Sequence, residues 1–592
     1  MSLRNNTGRL SLLLLFCCVF APLLRADDIL ERVISVRYYQ TPVREVLADV
    51  AQKGGFEWSY NAAILDETKI VDLVADGWTV REILTHVLGD AYTFKQNGEY
   101  LILKKQKRPK PRLSGYISDQ RTGQRMANVT VYDRQTLRST VTDRHGYYEL
   151  PVTPLSEVVV SKLAYRDTIL KVNSQSPRIH RLELYADSLP AASTRISFRR
   201  QMNRLGVRLE QFFVGSAQKL TNLNVRDSLH RRFQVSFLPG LGSNHRLSGS
   251  VTNDWSLNIL AGYSRGNRVF ELGGLGNINR EDMQGLQAAG LFNITGGHAY
   301  GMQLAGLFNN LGGNAAGLQA AGLYNFAGDT VQAMQLGGIV NYAGRSQGAI
   351  QAAGILNLSA RGNAPVQIAG IGNHSHITGG VQIGGIFNSA DTLRGCQIAG
   401  ISNRARVISG VQIGLINVAR QIDGVQIGLI NYAQHGGYMV LELGANDIFS
   451  ANAAFKSGVP ALYTILTAGA DPQSPSDNRV WAYGAGLGSR IPLTNWAGLS
   501  VDLVHRHLNE GRHDNLVQEW EQLALGLDLN LGRHFSIAGG PTANLFITDP
   551  DNPGPGDFRE RIGSKNWLDD NSNADGWLSA WGGWHAALRV RF

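Results

Sequence analysis

Pairs of histidines are the residues whose types and spacing come closest to a chemical site in this sequence. His505 and His507, like His374 and His376, stand two positions apart, so the members of each pair share a face if they lie on a strand. A protein zinc site takes three or four such ligands, and neither pair has an evident third candidate in the sequence. The pattern therefore predicts no metal site.

Two acidic pairs are spaced like candidates for general acid and base catalysis: Asp549 with Asp551, and Asp569 with Asp570. Both lie in stretches rich in asparagine, proline and glycine, which are typical of exposed loops. The sequence also has no nucleophile elbow, phosphate-binding loop or dinucleotide fingerprint between a strand and a helix. We therefore expect no catalytic residue, no cofactor and no metal, and a protein that is not an enzyme.

The N-terminal segment has the order of residues found in secretory signals. Arg4 and Arg9 precede an apolar run over residues 10–24, and the small Ala26 is followed by two aspartates. The run is shorter than the roughly 20 residues of a membrane-spanning helix. It predicts a cleaved signal peptide over residues 1–26, with a permanent anchor as the alternative.

The composition indicates several domains in an exported chain of 592 residues, with most of the excess of its 68 glycines in one central region. Removal of the signal leaves Cys396 as the one cysteine, which excludes a disulfide framework. The net charge of +9 is modest, and the basic cluster at residues 104–112 is typical of a solvated linker. We expect no nucleic-acid partner.

Membrane entry, if it occurs, must use strands. No stretch after the N-terminal segment approaches about 18 uninterrupted apolar residues. A closed β-barrel is the other fold that satisfies its own backbone polar groups in lipid. The sequence therefore points to an outer membrane.

Residues 27–105 show a strand, a helix and a strand twice over, and a hairpin around Asn97-Gly98 closes the second copy. Apolar residues at helical spacing give each helix one buried face: Val43, Val46, Leu47 and Val50 in the first, and Val80, Ile83, Leu84, Val87 and Leu88 in the second. This pattern predicts a small α+β domain of order βαβ-βαββ.

The phrases TPVREVLADVAQKGGFEWSY and TVREILTHVLGDAYTFKQNGEYLILKK in this module resemble the secretin and TonB short N-terminal domain. The resemblance covers the whole module. In that family the domain lies in the periplasm in front of outer-membrane proteins, and in TonB-dependent transducers it contacts an inner-membrane anti-sigma regulator. The resemblance implies a docking module for the periplasmic domain of such a regulator; a generic spacer is the alternative.

After a linker at residues 106–111, short strands and turns over residues 112–185 predict a β-sandwich. The phrases GYISDQRTGQRMANVTVYD and TVTDRHGYYEL resemble the carboxypeptidase regulatory-like domain, which implies no protease activity. Such a domain commonly precedes a TonB-dependent barrel, but no plug domain is visible after Tyr185, which counts against active import. Residues 195–222 then predict one amphipathic connector helix.

A repeat of about 16 residues occupies residues 268–436, within a β-rich region predicted over residues 230–592. Glutamine recurs at Gln287, Gln303, Gln319, Gln335, Gln351, Gln367, Gln382, Gln397, Gln412 and Gln426. Asparagine keeps step at Asn293, Asn309, Asn325, Asn341, Asn357, Asn373, Asn388, Asn403, Asn417 and Asn431. The repeats also resemble the surface-repeat segments of Gram-negative envelope proteins, which supports a location and no activity.

Alternation of apolar and polar residues predicts that the repeats are strands of an outer-membrane barrel. Gln303 and Asn309 would then face the lumen, while Leu304 and Phe308 would face lipid. The alternative is a β-solenoid, whose stacked coils place matching side chains in ladders, together with a smaller barrel. The spacing from glutamine to asparagine falls from six to five in the last two copies, which would swap faces in a continuous strand.

The C-terminal segment alternates over its full length. Trp584, Leu588, Val590 and Phe592 share one face, with arginines on the other, as in the terminal strand by which outer-membrane barrels are recognised for insertion. This strand predicts the barrel assembly machinery and outer-membrane lipid as partners.

The sequence thus predicts a non-enzymatic outer-membrane protein whose N-terminal domains lie in the periplasm and dock a partner, with a possible signal relay. A structural or adhesive surface repeat protein and a passive pore are the alternatives.

Overall fold

The computed structural model describes residues 28–106, 111–172, 179–187, 204–472, 480–509, 518–548, 562, 566–570 and 577–592. The expected signal peptide, and Asp549 and Asp551, lie outside these ranges. The chain divides into two compact units: unit 1 holds the residues up to 192, with 216–229 and 244–250, and unit 2 holds the rest.

Unit 1 begins with the strands and helices that the sequence predicts over residues 27–105. They are β1 (Val33–Pro42), α1 (Val43–Gly54), β2 (Glu57–Ser59), β3 (Ile70–Thr79), α2 (Val80–Leu88), β4 (Tyr92–Asn97) and β5 (Tyr100–Lys105). β1 pairs with β3, and β2, β5 and β4 form a second sheet. The predicted apolar faces of both helices lie in one hydrophobic core.

Local signals fix the ends of both helices. α1 ends where Gly55 adopts a left-handed conformation with φ of 66°. α2 begins at a capping box, in which Thr79 and Glu82 each accept a hydrogen bond from the other's backbone N–H.

Seven further strands of unit 1 form two sheets over a second core. They are β6 (Arg112–Asp119), β7 (Thr130–Asp133), β8 (Ser139–Val141), β9 (Tyr147–Pro151), β10 (Glu157–Ser161), β11 (Thr168–Lys171) and β12 (Ile179–Leu184). One sheet has the order β11-β10-β7-β8, and the other has the order β12-β6-β9.

The predicted connector is not a single helix. The structure has two helices, α3 (Arg204–Phe213) in unit 2 and α4 (Ser216–Asn224) in unit 1. Gly215 lies between them, and glycine is a poor helix former because it loses the most backbone entropy. Residues 195–203 lie outside the described part of the chain.

The repeats of unit 2 form a parallel β-solenoid, so the leading expectation of repeat strands in a barrel is wrong. Each coil has two strands, one with the glutamine and one with the asparagine, and equivalent residues of successive coils pair in register, as Gln287 does with Gln303. In the copy that holds Gln287 these strands are seven and four residues long. A membrane-spanning strand needs about 9–11 residues.

The solenoid sheet contains 24 strands, whose bounds are β13 (Leu229–Leu238), β14 (Leu241–Gly242), β15 (Val251–Asn258), β16 (Ala261–Ser264), β17 (Gly266–Gly273), β18 (Gly276–Asn279), β19 (Met283–Ala289), β20 (Phe292–Thr295), β21 (Ala299–Ala305), β22 (Phe308–Leu311), β23 (Ala315–Ala321), β24 (Tyr324–Gly337), β25 (Val340–Gln347), β26 (Ile350–Ala353), β27 (Leu356–Ser359), β28 (Gly362–Ala369), β29 (Gly372–Gly384), β30 (Phe387–Leu393), β31 (Cys396–Ala399), β32 (Ser402–Ile408), β33 (Val411–Ile413), β34 (Ile416–Ile422), β35 (Val425–Ile427) and β36 (Ile430–His435).

A glycine column lets the coils stack closely. Between the two strands of a coil the chain turns at a glycine followed by a leucine or isoleucine, as at Gly290-Leu291. A Cβ atom at Gly290 would lie 2.1 Å from the carbonyl oxygen of Gly274 in the previous coil. Only glycine fits this corner without a backbone shift.

The chain then forms a closed barrel of eight antiparallel strands. The strands are β37 (Tyr438–Asn446), β38 (Ala451–Val459), β39 (Leu462–Ala470), β40 (Trp481–Pro492), β41 (Ala497–Asn509), β42 (Gln518–Asn530), β43 (Phe535–Thr548) and β45 (Trp577–Arg591), with the short β44 (Asn566–Asp570) beside β45. Neighbours pair in chain order, and β45 pairs with both β43 and β37, which closes the ring. Among the described residues, no helix is long and apolar enough to cross a membrane.

Candidate functional site

The outer wall of the barrel is largely aliphatic, and its charged exceptions His505, Glu519 and Glu521 lie toward the end of β41 and the start of β42. Because successive side chains of a strand point to opposite faces, every second residue of β41 and β42 points outward. The exposed positions of these two strands include Leu499, Val501, Leu503, Leu523, Leu525, Leu527 and Leu529. Ile537 and Leu588 extend the same surface on β43 and β45. This wall has the polarity of a strand face in contact with hydrocarbon.

The inside of the barrel holds a network of paired charges. Lys456 Nζ lies 2.7 Å from Glu442 Oε2 and 2.6 Å from Asp502 Oδ2. Arg589 donates from Nε to the same Glu442 oxygen at 2.6 Å, and its Nη1 contacts Asp528. Each of these carboxylates is neutralised by a neighbouring cation, the condition under which charges tolerate burial.

Further polar side chains fill the remaining interior. Tyr463 donates its hydroxyl hydrogen to Asp502 Oδ1 at 2.6 Å, and Arg490 Nε donates to Asp528 Oδ2 at 2.8 Å. Arg506 donates to Asn452 and Gln522. The space left among the side chains of this region is about 40 Å³, room for no more than a few water molecules. The barrel interior is therefore packed.

The two rims of the barrel differ in the length of their connections. Residues 460–461, 493–496 and 531–534 join strands at one rim, which we call the short-turn rim. Residues 447–450, 471–480, 510–517 and 549–576 join strands at the other rim, and the last of these connections includes β44. Outer-membrane barrels have short turns on the periplasmic side and longer loops on the outside.

The glutamines and asparagines that the sequence singles out form two buried ladders inside the solenoid. Gln303 Nε2 donates to Gln287 Oε1 at 2.8 Å, and the same bond repeats down to Gln426. Asn293 Nδ2 donates in the opposite direction, to Asn309 Oδ1 of the next coil at 2.9 Å, and this bond repeats down to Asn431. All twenty side chains predicted for the ladders are buried. They line the interior of the coils and not the lumen of a barrel.

Partners outside the ladders occur at the first glutamine rung and at the last asparagine rung. Glu271 occupies the glutamine position one coil earlier and accepts from Gln287 and Asn279, while burial raises the pKa of its carboxyl group. At the other end Asn431 Nδ2 donates to Thr464 Oγ1 of β39 at 2.9 Å and to the Ser457 backbone oxygen of β38 at 3.1 Å. The last coil is thus sealed by the barrel wall.

The apolar repeat positions are not all placed as the sequence predicts. Phe308, expected to face lipid, and its equivalent Phe292 in the previous coil are buried beneath α3, where the rings of Phe292 and Phe213 are 5.5 Å apart. Leu304 is half-buried on the outside of its coil. Sequence reasoning missed the cover that α3 supplies, because the helix lies far from these strands in the chain.

Of the residues predicted for the terminal strand, Trp584, Leu588 and Val590 lie on β45 and Phe592 directly follows it. Trp584, Leu588 and Phe592 are exposed on the outer wall, and Val590 is half-buried on the same side. The pairing of β45 with β37 and β43 makes it the strand that closes the barrel.

The two modules of unit 1 are joined by charged residues that no sequence motif indicates. Glu31, which accepts from Arg81 Nε of its own module at 3.1 Å, also accepts from the Tyr116 hydroxyl of the second module at 3.2 Å. Arg181 of β12 forms an ion pair with Glu82 at the start of α2. Burial raises the pKa of Tyr116 above its ordinary value.

A second polar cluster of unit 1 surrounds Asp227. Arg134 binds this carboxylate through both Nε, at 2.7 Å, and Nη2, at 3.0 Å, and Tyr132 donates to it at 2.6 Å. Burial acts to raise the pKa of Asp227, but the hydrogen bonds from Arg134 and Tyr132 outweigh it and leave the pKa below its usual value.

The histidine pairs contact carboxylates. His505 lies between Glu519 and Glu521, and His376 contacts Asp391. Across the described residues, no group of three or more histidine, cysteine or acidic side chains is arranged to hold a metal ion.

Comparison of the chain with protein-family models, with curated proteins and with solved structures finds no match. The geometry of the packed charged barrel, its aliphatic outer wall and the polar-cored solenoid is therefore the basis for a functional proposal.

Proposed function

We propose that the barrel anchors this protein in an outer membrane and that unit 1 docks a partner in the periplasm. One observation carries the first part: the barrel is charged inside and aliphatic outside, which is the reverse of a water-soluble protein. An aqueous barrel would leave exposed a row of leucines such as Leu503, Leu523 and Leu525. In lipid the same row is stabilised by contact with acyl chains.

The loop asymmetry supports an orientation for this anchor. We place the short-turn rim at the periplasmic surface and the longer connections outside the cell. The packed interior favours an anchor over a passive pore, because ion pairs such as Lys456–Asp502 fill the path that a solute would take. The barrel assembly machinery is the partner expected for insertion of such a barrel.

Fractionation of cells that express the intact chain tests the anchor. The protein should sediment with the outer membrane and resist extraction by high salt, because apolar area and not charge holds it there. In gels it should migrate differently before and after boiling, since a closed barrel survives mild detergent. Recovery in the soluble periplasmic fraction would contradict the proposal.

The docking role of unit 1 rests on the resemblance of residues 27–105 to the secretin and TonB short N-terminal domain. The outer face of the β1–β3 sheet is accessible for such a contact, since Val33, Tyr39 and Val74 are exposed on it. The occupant we propose is the periplasmic domain of an inner-membrane regulator, and a relay of surface state to that regulator follows from it.

A photo-crosslinking amino acid at Tyr39 in the intact chain tests this role, with Tyr100 as a matched exposed control on the other sheet. A crosslink from position 39 and not from position 100 to an inner-membrane protein is the expected result. Equal crosslinking from both positions, or none, would reduce the module to a spacer.

A further inference from the structure

The solenoid has an uninterrupted aliphatic surface on the outside of its coils, separate from the core that holds the ladders. In each coil two outward positions of the glutamine strand and the residue after the corner glycine are aliphatic or alanine, apart from two methionines and one cysteine, and we call this surface the aliphatic wall. Its members in the coil of Gln335 are Met334, Leu336 and Ile339, all about 40% exposed. In the coil of Gln397 they are Cys396, Ile398 and Ile401.

Register pairing makes the wall continuous. Met334 pairs with Ile350, Ile383 with Ile398, and Ile398 with Ile413, so each position forms an unbroken row along the stack. Ten coils at about 4.8 Å each give rows about 43 Å long, and the wall is about 16 Å wide at about 3.3 Å per residue. The resulting area of roughly 700 Å² exceeds the largest apolar patch of a typical soluble monomer.

The opposite edge of the coils carries the charges. The segments from the asparagine of one coil to the glutamine of the next, which comprise turns and parts of strands, contain Asp282, His298, Asp329, Arg345, Arg361, Asp391, Arg394, Arg406, Arg420 and Asp423. No charged residue occupies a wall position in the ten coils. The solenoid is therefore amphipathic in cross-section, with an apolar corner at the glycine column and a polar edge across from it.

The contacts between the last coil and the barrel show how far the apolar corner and the charged edge of the solenoid lie from the short-turn rim. Thr464 and Ser457, on the outside of the barrel, bind the carbonyl oxygens of Gly428 and Leu429 at the apolar corner of the last coil. Val459, two residues nearer to the short-turn rim than Ser457, packs in the cluster that contains Ile422, beside the charged turn 423–424. The apolar corner thus lies farther from the rim than the charged edge does.

We propose that the aliphatic wall lies in the acyl chains of the membrane leaflet on the short-turn side of the barrel, with the charged edge at the water surface. This inference rests on the proposed membrane anchor and names the lipid contact of a second part of the chain. The wall begins at the surface that the barrel presents to lipid, which is why we choose lipid over a second copy of the chain as its occupant. Polar groups in the buried ladders meet no hydrocarbon.

A groove along the wall adds a place for a single chain. It has a volume of about 910 Å³ and runs across the coils from Leu272 to Ile368, over alanines and corner glycines such as Gly306 and Gly322. It is open to the outside and lined by glycine, alanine, leucine and isoleucine residues, which fits a lipid acyl chain lying along the stack.

A native probe makes the proposal testable without altering the wall. In the full chain with Cys17→Ser and Cys18→Ser, an environment-sensitive dye on Cys396 reports from the wall. Arg404→Cys, combined with Cys396→Ser, places the same dye in the same coil on the exposed opposite face. Leu503→Cys, in the same background, reports from the outer face of the barrel.

The three proteins are reconstituted in phosphatidylcholine vesicles whose acyl chains carry a nitroxide quencher. We expect the dye at positions 396 and 503 to lose a similar, large fraction of its fluorescence, and the dye at position 404 to lose little. Quenching at 503 with none at 396 would overturn the wall proposal and leave the barrel anchor standing. Absence of quenching at 503 would overturn the anchor and, with it, the wall.

Two other results also count against the wall proposal. Equal quenching at 396 and 404 would mean that the coils are surrounded by lipid. Crosslinking of Cys396 to Cys396 between two chains, without quenching, would assign the wall to a second copy.

Discussion

The side-chain amide of Gln287 donates from Nε2 to Oε2 of Glu271 at 2.8 Å. Glu271 occupies the glutamine position of its coil, so an acid replaces an amide at the first rung of the ladder. An amide there would have to orient one donor hydrogen toward another donor, whereas a carboxylate accepts from every neighbour. The solenoid therefore begins with an acceptor that turns no donor toward the ladder.

Glu271→Leu should destabilise the first coils. It leaves the side-chain amides of Asn279 and Gln287, and one amide hydrogen of Asn258, without an acceptor, at about 1–3 kcal/mol for each group. Glu271→Gln restores one acceptor oxygen and should lose less stability than Glu271→Leu. Thermal unfolding of the intact protein in detergent measures both, and equal unfolding temperatures for the leucine variant and the parent would argue against the cap.

A rung in the middle of the ladder should be costly to remove as well. Gln351→Leu leaves one amide hydrogen of Gln367 and the side-chain oxygen of Gln335 unpaired inside the coils, which predicts a loss of about 2–6 kcal/mol from two such groups. The neighbouring Ile350→Leu, on the outside, is the matched control and should change little. Denaturant titration that finds the two variants alike would disprove the energetic role of the ladder.

The barrel wall should reject charge in a way that depends on depth. Leu503 is in the middle of β41, and Leu503→Arg should impair assembly by about 2–4 kcal/mol if its site lies at mid-membrane. Phe535→Arg, at the first residue of β43 beside the short-turn rim, should cost about 0–1 kcal/mol. Folding into vesicles, followed by gel migration, measures both, and equal tolerance at the two depths would contradict a membrane position.

The interior charges should act as one network. Lys456→Met removes the cation shared by Glu442 and Asp502 and should destabilise the barrel by about 3–5 kcal/mol, because buried carboxylates then lose a partner. The double variant Lys456→Met and Asp502→Asn removes one cation and one carboxylate together, leaves Glu442 paired with Arg589, and should recover part of the loss. A double variant less stable than the single one would refute the pairing argument.

The cluster at Asp227 should make part of unit 1 sensitive to acid. Its folded pKa is lowered, so the cluster contributes stability above the pKa of the unfolded chain and loses it as the pH falls through the folded pKa. Hydrogen-exchange protection of β7 and β10 in the intact chain, corrected for intrinsic rates, should therefore fall in acid. In the Asp227→Asn variant, β7 and β10 should be less protected from exchange at neutral pH, and their protection should change less as the pH falls. An unchanged loss of protection in acid in that variant would exclude Asp227 as the cause.

Local pattern was sufficient to predict the first module. The helix ends at Gly55 and Thr79 depend on neighbours within four residues, and the helical spacing of the core residues marks their buried face. The ion pair between Glu31 and Arg81 was not predictable, since 50 positions separate two residues of a common type.

The same limit explains the error in the repeats. If the corner at Gly290 is not recognised, the alternating pattern looks like one long barrel strand with a face toward lipid. The barrel and the solenoid each bury one set of side chains, so alternation alone does not distinguish them. The fall in spacing between Gln412 and Asn417 was the decisive sequence signal. A continuous strand would swap faces, whereas two strands joined at a corner keep both side chains inside, as the two ladders show.

The ladders of Gln303 and Asn309 run in opposite directions, and this has a consequence for how the chain can change in length. Their side-chain amide dipoles point in opposite directions within every coil, so the dipole moments of the two ladders largely cancel. Additional coils therefore add little to the electric field along the stack. Each coil also presents to the next coil the same pairing surface that the previous coil presents to it. Duplication or deletion of whole repeats in the gene would therefore lengthen or shorten the solenoid in steps of about 4.8 Å, with the cap at Glu271 and the seal at Asn431 unchanged.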